Sequence, residues 1–175
     1  MINSRPNNSS YKSGNFIPKN KDKVLRLNKE GGVYFRSSWE NRIMIWLDNS
    51  ENIKMWGAEC LKIPYQMTHF KGGDMEIRDH NYYPDFYYEM LNQDGSIKRV
   101  VVEVKPHKEY QMVLDLNEGK LNVPQTGLKK LRNFEYDLKM AYRNQEKWRT
   151  MIEWCNRKGY EFIIITETHL KKFGI

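Results

Sequence analysis

Asp85, Glu103 and Lys105 are the residues of this chain whose types and spacing could carry out chemistry. In the run from Val100 to Lys105, strand alternation puts Val100, Val102 and Val104 on one face and Val101, Glu103 and Lys105 on the other. Upstream, Asp85, Tyr87 and Glu89 alternate in the same way with Phe86 and Tyr88. The two runs flank Asn92-Gln93-Asp94-Gly95, a hairpin signal. A three-residue loop with Gly95 in the left-handed conformation sets Asn92 opposite Ser96 and Asp85 opposite Glu103, whereas a two-residue Asp-Gly turn shifts the pairing by one. Facing carboxylates on adjacent strands stand about 4.5–5.5 Å apart at Cβ and repel unless something neutralises them. A divalent cation does so, and hard oxygen donors of this kind suit Mg²⁺. Lys105, one pleat along, is then placed to stabilise charge developing on a phosphoryl group, to orient a water, or both. The alternative is a surface hairpin whose Asp, Glu and Lys form one exposed salt bridge. The apolar alternation of a central strand, the register and the basic charge of the chain favour the buried site, since an ion pair on the second face of a core strand needs a partner or a ligand.

The elements that must position these groups are legible in outline. After Gly31-Gly32, "YFRSSWENRIMIWLD" places Trp39, Ile43, Trp46 and Leu47 on one helical stripe, with Ser37 as N-cap and Glu40 completing a capping box. Strands are expected at "NIKMW", "CLKIPY", "NYYPDFYYEML" and "SIKRVVVEVK". Residues 106–127 lack clear periodicity and read as a loop or irregular excursion. From Leu128 onward Leu131, Phe134, Leu138, Ala141, Trp148, Ile152 and Cys155 mark a long helix, interrupted by Gln145 and ended by Gly159 as a C′ cap. "YEFIIIT" is a short buried strand and "ETHLKKFGI" a terminal helix or tail. The order α-β-β-β-α-β implies an α/β fold, a mixed central sheet with helices on both faces.

Composition bounds the partners. The chain has 175 residues and a formal net charge of +7, from 29 Lys and Arg against 22 Asp and Glu, which favours a polyanion, nucleic acid first. Residues 1–30 carry seven basic side chains against two acidic ones among Asn, Ser, Gly and Pro, and read as a basic flexible arm, either functional or not, ahead of one domain over 31–175. No apolar run approaches the ~20 residues of a membrane span, and no signal-peptide core is present, so a soluble, non-secreted protein is expected. Cys60, Cys155 and the four histidines show no metal-like spacing, which argues against a zinc site or a disulfide framework.

Pro84-Asp85 followed by Glu103-Val104-Lys105 resembles the PD-(D/E)xK nuclease superfamily, and "YFRSSWE" is similar to the helix that carries a further acid in transposase-like and restriction-like members. Seven collinear segments, "GNFIPKNKDKV", "YFRSSWE", "WGAECLKIPY", "YYPDF", "VEVKP", "NQEKW" and "GYEFIIITETHL", resemble the head completion nucleases of contractile-tailed bacteriophages, a branch that shares its catalytic segments with the endonuclease subunit of heteromeric transposases. The stretch 107–133 lies outside that similarity and reads as a lineage-specific loop. The resemblance implies a restriction-endonuclease-like core and a Mg²⁺-dependent endodeoxyribonuclease, with Mn²⁺ able to substitute. Asp85, Glu103 and the Val104 carbonyl would bind the ion, Glu40 the ion or a water on it, and Lys105 would assist catalysis. Arg36, His107, Lys108, Gln145 and Lys147 are candidate DNA contacts, each with an ordinary alternative such as a solvated side chain or, for Gln145, a satisfied buried amide. Implied partners are double-stranded DNA and portal or other head proteins, and the implied location is the virion and host cytoplasm. The alternatives are a structural virion protein that binds a DNA end or the portal with little turnover, and a transposon- or restriction-type nuclease.

Overall fold

A computed structural model of the chain describes residues 12–71 and 74–172. Its elements are, in order, β1 (Gly14–Phe16), a 3₁₀ turn (Lys21–Lys23), β2 (Val33–Phe35), α1 (Ser38–Asn49), β3 (Ile53–Ala58), β4 (Ile63–Lys71), β5 (Asp74–Tyr82), β6 (Phe86–Leu91), β7 (Ile97–Val104), α2 (His107–Asn117), α3 (Leu128–Lys158), β8 (Glu161–Ile165) and α4 (Glu167–Lys172).

The central sheet has the strand order β3-β6-β7-β8. β3, β6 and β7 form an antiparallel meander, and β8 returns parallel to β7 after the helical excursion. The sheet is therefore mixed, with helices on both faces. This is the α/β arrangement read from the sequence, and it is consistent with a restriction-endonuclease-like core.

Alternation along β7 divides the core. Val100, Val102 and Val104 pack with Phe86, Tyr88 and the α1 side chains Ile43, Met44 and Leu47. Val101 on the opposite face joins Tyr87, Tyr65, Tyr82 and the α3 side chains Met151 and Cys155. A strand whose two faces are both covered must have an apolar residue at nearly every position. Glu103 breaks that rule on the face shared with α3, and it is only 3 % exposed.

Three stretches differ from the sequence reading. Residues 107–117, expected within a loop, form α2, because the carbonyl of Pro106, its N-cap, accepts the Glu109 and Tyr110 N–H groups, and Val113 is buried against α3 with Ala141 and Trp148. Residues 66–80, given no element from the sequence, extend β4 and β5 into a two-stranded ribbon. Its outer strand is exposed almost throughout, so it lacks the one-sided apolar alternation by which a strand is recognised. The third difference lies in the arm expected over residues 1–30. Residues 1–11 lie outside the described residues, but from Gly14 onward the segment packs on the domain. β1 pairs with β2, Val24 bridges to Trp56, and Leu27 packs against the core.

The clamp for this segment is Asp48, 1 % exposed near the end of α1. Its carboxylate accepts the backbone N–H groups of Lys19 at 2.8 Å and Asn20 at 3.1 Å, while the Asn20 amide donates to the Asp48 carbonyl at 2.8 Å. A carboxylate near a helix C-terminus is unfavourable by the helix dipole, so these bonds to charge must outweigh it. Asp48→Ala leaves two donors without their acceptor. It is expected to lower stability by about 2–3 kcal/mol in urea melts and to speed hydrogen exchange from Gly14 to Leu27 before the rest of the domain. Unchanged exchange in that segment would disprove the clamp.

Candidate active site

The hairpin register is the one that a three-residue loop requires. Gly95 has φ of 84°, the Asn92 N–H donates to the Ser96 carbonyl at 2.9 Å, and Phe86 pairs with Val102. One step beyond that pair stand Asp85 and Glu103. Asp85 lies at a bend just before β6, so the ladder ends there and its side chain replaces the missing strand: Asp85 Oδ2 accepts the Val104 N–H at 2.6 Å. The N–H and C=O of one strand residue point to the same side, so the Val104 carbonyl is aimed at this edge as well, while the Lys105 N–H turns the other way to the Ile165 carbonyl at 2.9 Å.

Glu103 is held at both oxygens. The Tyr82 hydroxyl donates to Oε2 at 2.6 Å, and the Lys105 ammonium pairs with Oε1 at 2.8 Å. Burial alone would weaken the Lys105 charge, but the carboxylates of Glu103, Asp85 and Glu109 outweigh it and raise the ammonium's pKa. Asp85 has the opposite fate. Burial first, then the charge of Glu103, raise its carboxyl from the ordinary range to about 7, against the Val104 N–H and Lys105, which pull it down; Glu40 adds a smaller push upward. Tyr82 is buried beside these acids and its phenol is pushed well above its ordinary pKa, by burial and by Glu103.

Lys147 also reaches this centre, from α3. Its ammonium sits 5.3 Å from the centroid of the Tyr82 ring. Burial depresses its pKa, Lys105 and Arg143 depress it further, and Glu103 and Asp85 work against them.

The other candidates are more scattered. Glu40 completes the capping box, with Oε1 accepting the Ser37 hydroxyl at 2.8 Å, Oε2 the Arg36 N–H at 2.9 Å, and its own N–H donating to Ser37 Oγ at 3.2 Å. Together with Asp85, Arg36 and Glu59 it lines a polar cleft of about 430 Å³. Arg36 spans that cleft mouth in an exposed ion pair with Glu59, at 2.8 Å. His107 and Lys108 open α2 instead of a loop. His107 donates its backbone N–H to Glu167 at 2.7 Å, and the Lys108 ammonium pairs with Asp137 at 2.5 Å. Gln145 does not point to the acids: it is half-buried and donates to Asn117 at the far end of α2, at 2.5 Å. The buried amide of α3 is its neighbour Asn144, which donates to Glu109 at 3.5 Å. The break in the apolar stripe was visible in the sequence, but a helix rotates by about 100° per residue, so an error of one position changes the face.

The fit to a divalent ion rests on the donors themselves. Two carboxylates and one backbone carbonyl gather at one strand edge, where burial first and the charge of Glu103 second raise Asp85. Mg²⁺ is commonly held by one or two carboxylates with waters completing its shell. Among the described residues no three acids, imidazoles or thiols converge as a ready-made cage, and Glu40 shares with Asp85 the polar cleft on the α1 side.

A raised folded-state pKa makes a sign prediction. Native Asp85 keeps its proton to a higher pH than unfolded Asp85, so stability present below about pH 4 is lost as pH rises through about 7. Asp85→Asn keeps an acceptor for the Val104 N–H and cannot ionise. In EDTA at pH 8 its Tm is expected about 3 °C above that of the parent, the shift that roughly 1 kcal/mol produces in a chain of this size, and the gap should close at pH 4. An equal gap at both pH values would remove the carboxylate repulsion from the account.

Comparison with known proteins places these observations in a family. The TnsA-like endonuclease N-terminal family matches residues 50–167, a segment that contains Asp85, Glu103, Lys105 and Lys147 and leaves Arg36 and Glu40 outside. The head completion nuclease of Enterobacteria phage T4 is 28 % identical over 162 residues, covering 93 % of this chain and 95 % of that protein. No solved structure matches the chain. With the match covering well over half its length, the chain belongs to the TnsA-like endonuclease family.

Proposed function

We propose that this protein is a Mg²⁺-dependent endodeoxyribonuclease that hydrolyses phosphodiester bonds of double-stranded DNA and acts in the completion of phage heads. The observation that supports the metal-dependent reading is the bond from the Val104 N–H to Asp85, which sets that carboxylate beside Glu103 at the edge where the Val104 carbonyl emerges. Asp85, Glu103 and that carbonyl would hold the ion, with Glu40 contributing from the outer side and Mn²⁺ able to substitute. Bound there, Mg²⁺ supplies Lewis-acid charge to the scissile phosphate and makes water a stronger nucleophile.

The chain's own groups supply the rest. Lys105 is favoured in its charged form by its carboxylate neighbours, and in this reading it would oppose the charge that develops on the non-bridging oxygens, an electrostatic contribution. Tyr82 orients Glu103 by donating to one oxygen, leaving the carboxylate a fixed direction from which to bind. The net charge of +7 draws a polyanion toward the site at low salt. The phage-head role is supported by similarity to the T4 protein along nearly its whole length.

Incubation with supercoiled plasmid tests the reaction. Nicking is expected with Mg²⁺ or Mn²⁺ and not with EDTA, and Asp85→Ala or Lys105→Ala should lower the rate by about 10²–10³. Tyr82→Phe should lower it by about tenfold through the orientation of Glu103. Plasmid binding without cleavage across metals and salt concentrations would overturn the enzymatic reading. Recovery of the protein in purified virions, by mass spectrometry, is the result expected of a head-completion role, and its absence from them would count against that role.

A further inference from the structure

α3 carries Lys139, Arg143 and Lys147 at successive fourth positions, so the three share one face over about 12 Å of helix. Like charges at this spacing repel, and nothing in the packing of α3 asks for them. None of the three enters an ion pair among the described residues. The row is graded toward the acids: Lys139 is exposed, Arg143 is half-buried where α3 faces β4, and Lys147 is half-buried over the Tyr82 ring. Arg143 forms no ion pair among the described residues and Lys147 is only partly offset by Glu103 and Asp85, so the row keeps positive charge able to meet an anion from outside.

Beside this row runs a cleft of about 690 Å³ between β4 and α3. Met67 and Thr68 form one wall, and Lys139, Tyr142 and Arg143 the other. The carboxylate of Glu146 on the same face is engaged by Arg149 at 2.6 Å, and Glu135 stands at the outer end. The volume is that of a pocket for a small molecule or a short piece of strand, far less than a duplex needs. Tyr142 is 52 % exposed between the cations. A basic groove with an aromatic side chain available for stacking is the arrangement that takes single strands without reading their sequence.

We propose that the cleft between β4 and α3 binds an unpaired stretch of the DNA strand that leads to the Asp85–Glu103 centre, with Lys139 and Arg143 of the cleft, and Lys147 one turn further along α3, on its phosphates and Tyr142 stacked on a base. The inference rests on the nuclease reading above and narrows it: the preferred substrate has single-stranded character next to the cleavage site, as a fork or frayed end does.

Binding separates this proposal from catalysis. In an Asp85→Ala background with EDTA, a labelled forked duplex with an arm of about ten nucleotides, within the span of known single-strand sites, should bind more tightly than a blunt duplex of equal length. Tyr142→Ala should weaken the forked complex roughly fivefold or more and leave the blunt complex unchanged, while Tyr142→Phe restores it. Lys139→Ala with Arg143→Ala should reduce the salt slope by about 1.4, the share of two single-strand phosphates. Equal effects of Tyr142→Ala on both substrates, no effect on either, or an unchanged slope would overturn the proposal. Cleavage by the parent protein is scored separately. Fork preference without cleavage sinks the nuclease reading and keeps the cleft; cleavage with variants that bind like the parent does the reverse.

Discussion

The bond from the Val104 N–H to the Asp85 carboxylate, at 2.6 Å, is the constraint on which the rest of the structure turns. At this point β6 has ended and β7 continues, so one strand edge would be left with an unanswered donor beside a buried acid. Asp85 answers the donor and in doing so brings its charge against Glu103. Both carboxylates then share a space that burial makes unfavourable for either. The sheet can hold them there because β7 is apolar on both sides before Glu103 and paired on both edges. A less secure strand would relax by turning the acids out to water.

Much of the surrounding architecture answers that conflict. Lys105 neutralises one oxygen of Glu103 and Tyr82 satisfies the other. Tyr82 ends β5, so the exposed ribbon has an inner root that helps build the site. α3 closes the same face and delivers Lys147 over the tyrosine ring. On the other side α1 is fixed by its capping box and by the clamp of residues 19 and 20 on Asp48, which holds the polar cleft of Glu40, Arg36 and Glu59 beside Asp85. Asp85, buried and then pressed by Glu103, is a group whose negative charge the fold itself does not favour.

Particular residues show why some of this was legible beforehand. Gly95 has to take positive φ in a three-residue hairpin loop, and that one conformational requirement fixes the β6–β7 register up to Phe86 against Val102, with Asp85 and Glu103 one step beyond. Ser37 and Glu40 announced the start of α1 because a capping box is local chemistry. α2 was hidden because it has eleven residues, begins just after a proline, and depends on burying Val113 against a helix that follows it in sequence. The ribbon was hidden because its outer strand buries almost nothing. Asn144 and Gln145 traded places because the sequence shows that the stripe is interrupted but not which way the helix is rotated.

Sequence alone therefore determined the local and periodic features: the strand faces, the cap, the turn and the pairing that a turn dictates. These follow from steric and hydrogen-bonding rules that act within a few residues. Only the tertiary structure decided which groups meet across long separations: Tyr82 on Glu103, Lys147 over Tyr82, Asp48 on residues 19 and 20, and α2 on α3. Those contacts depend on how elements rotate and pack against one another, and small rotations are set by the fit of the whole core, which no local pattern encodes.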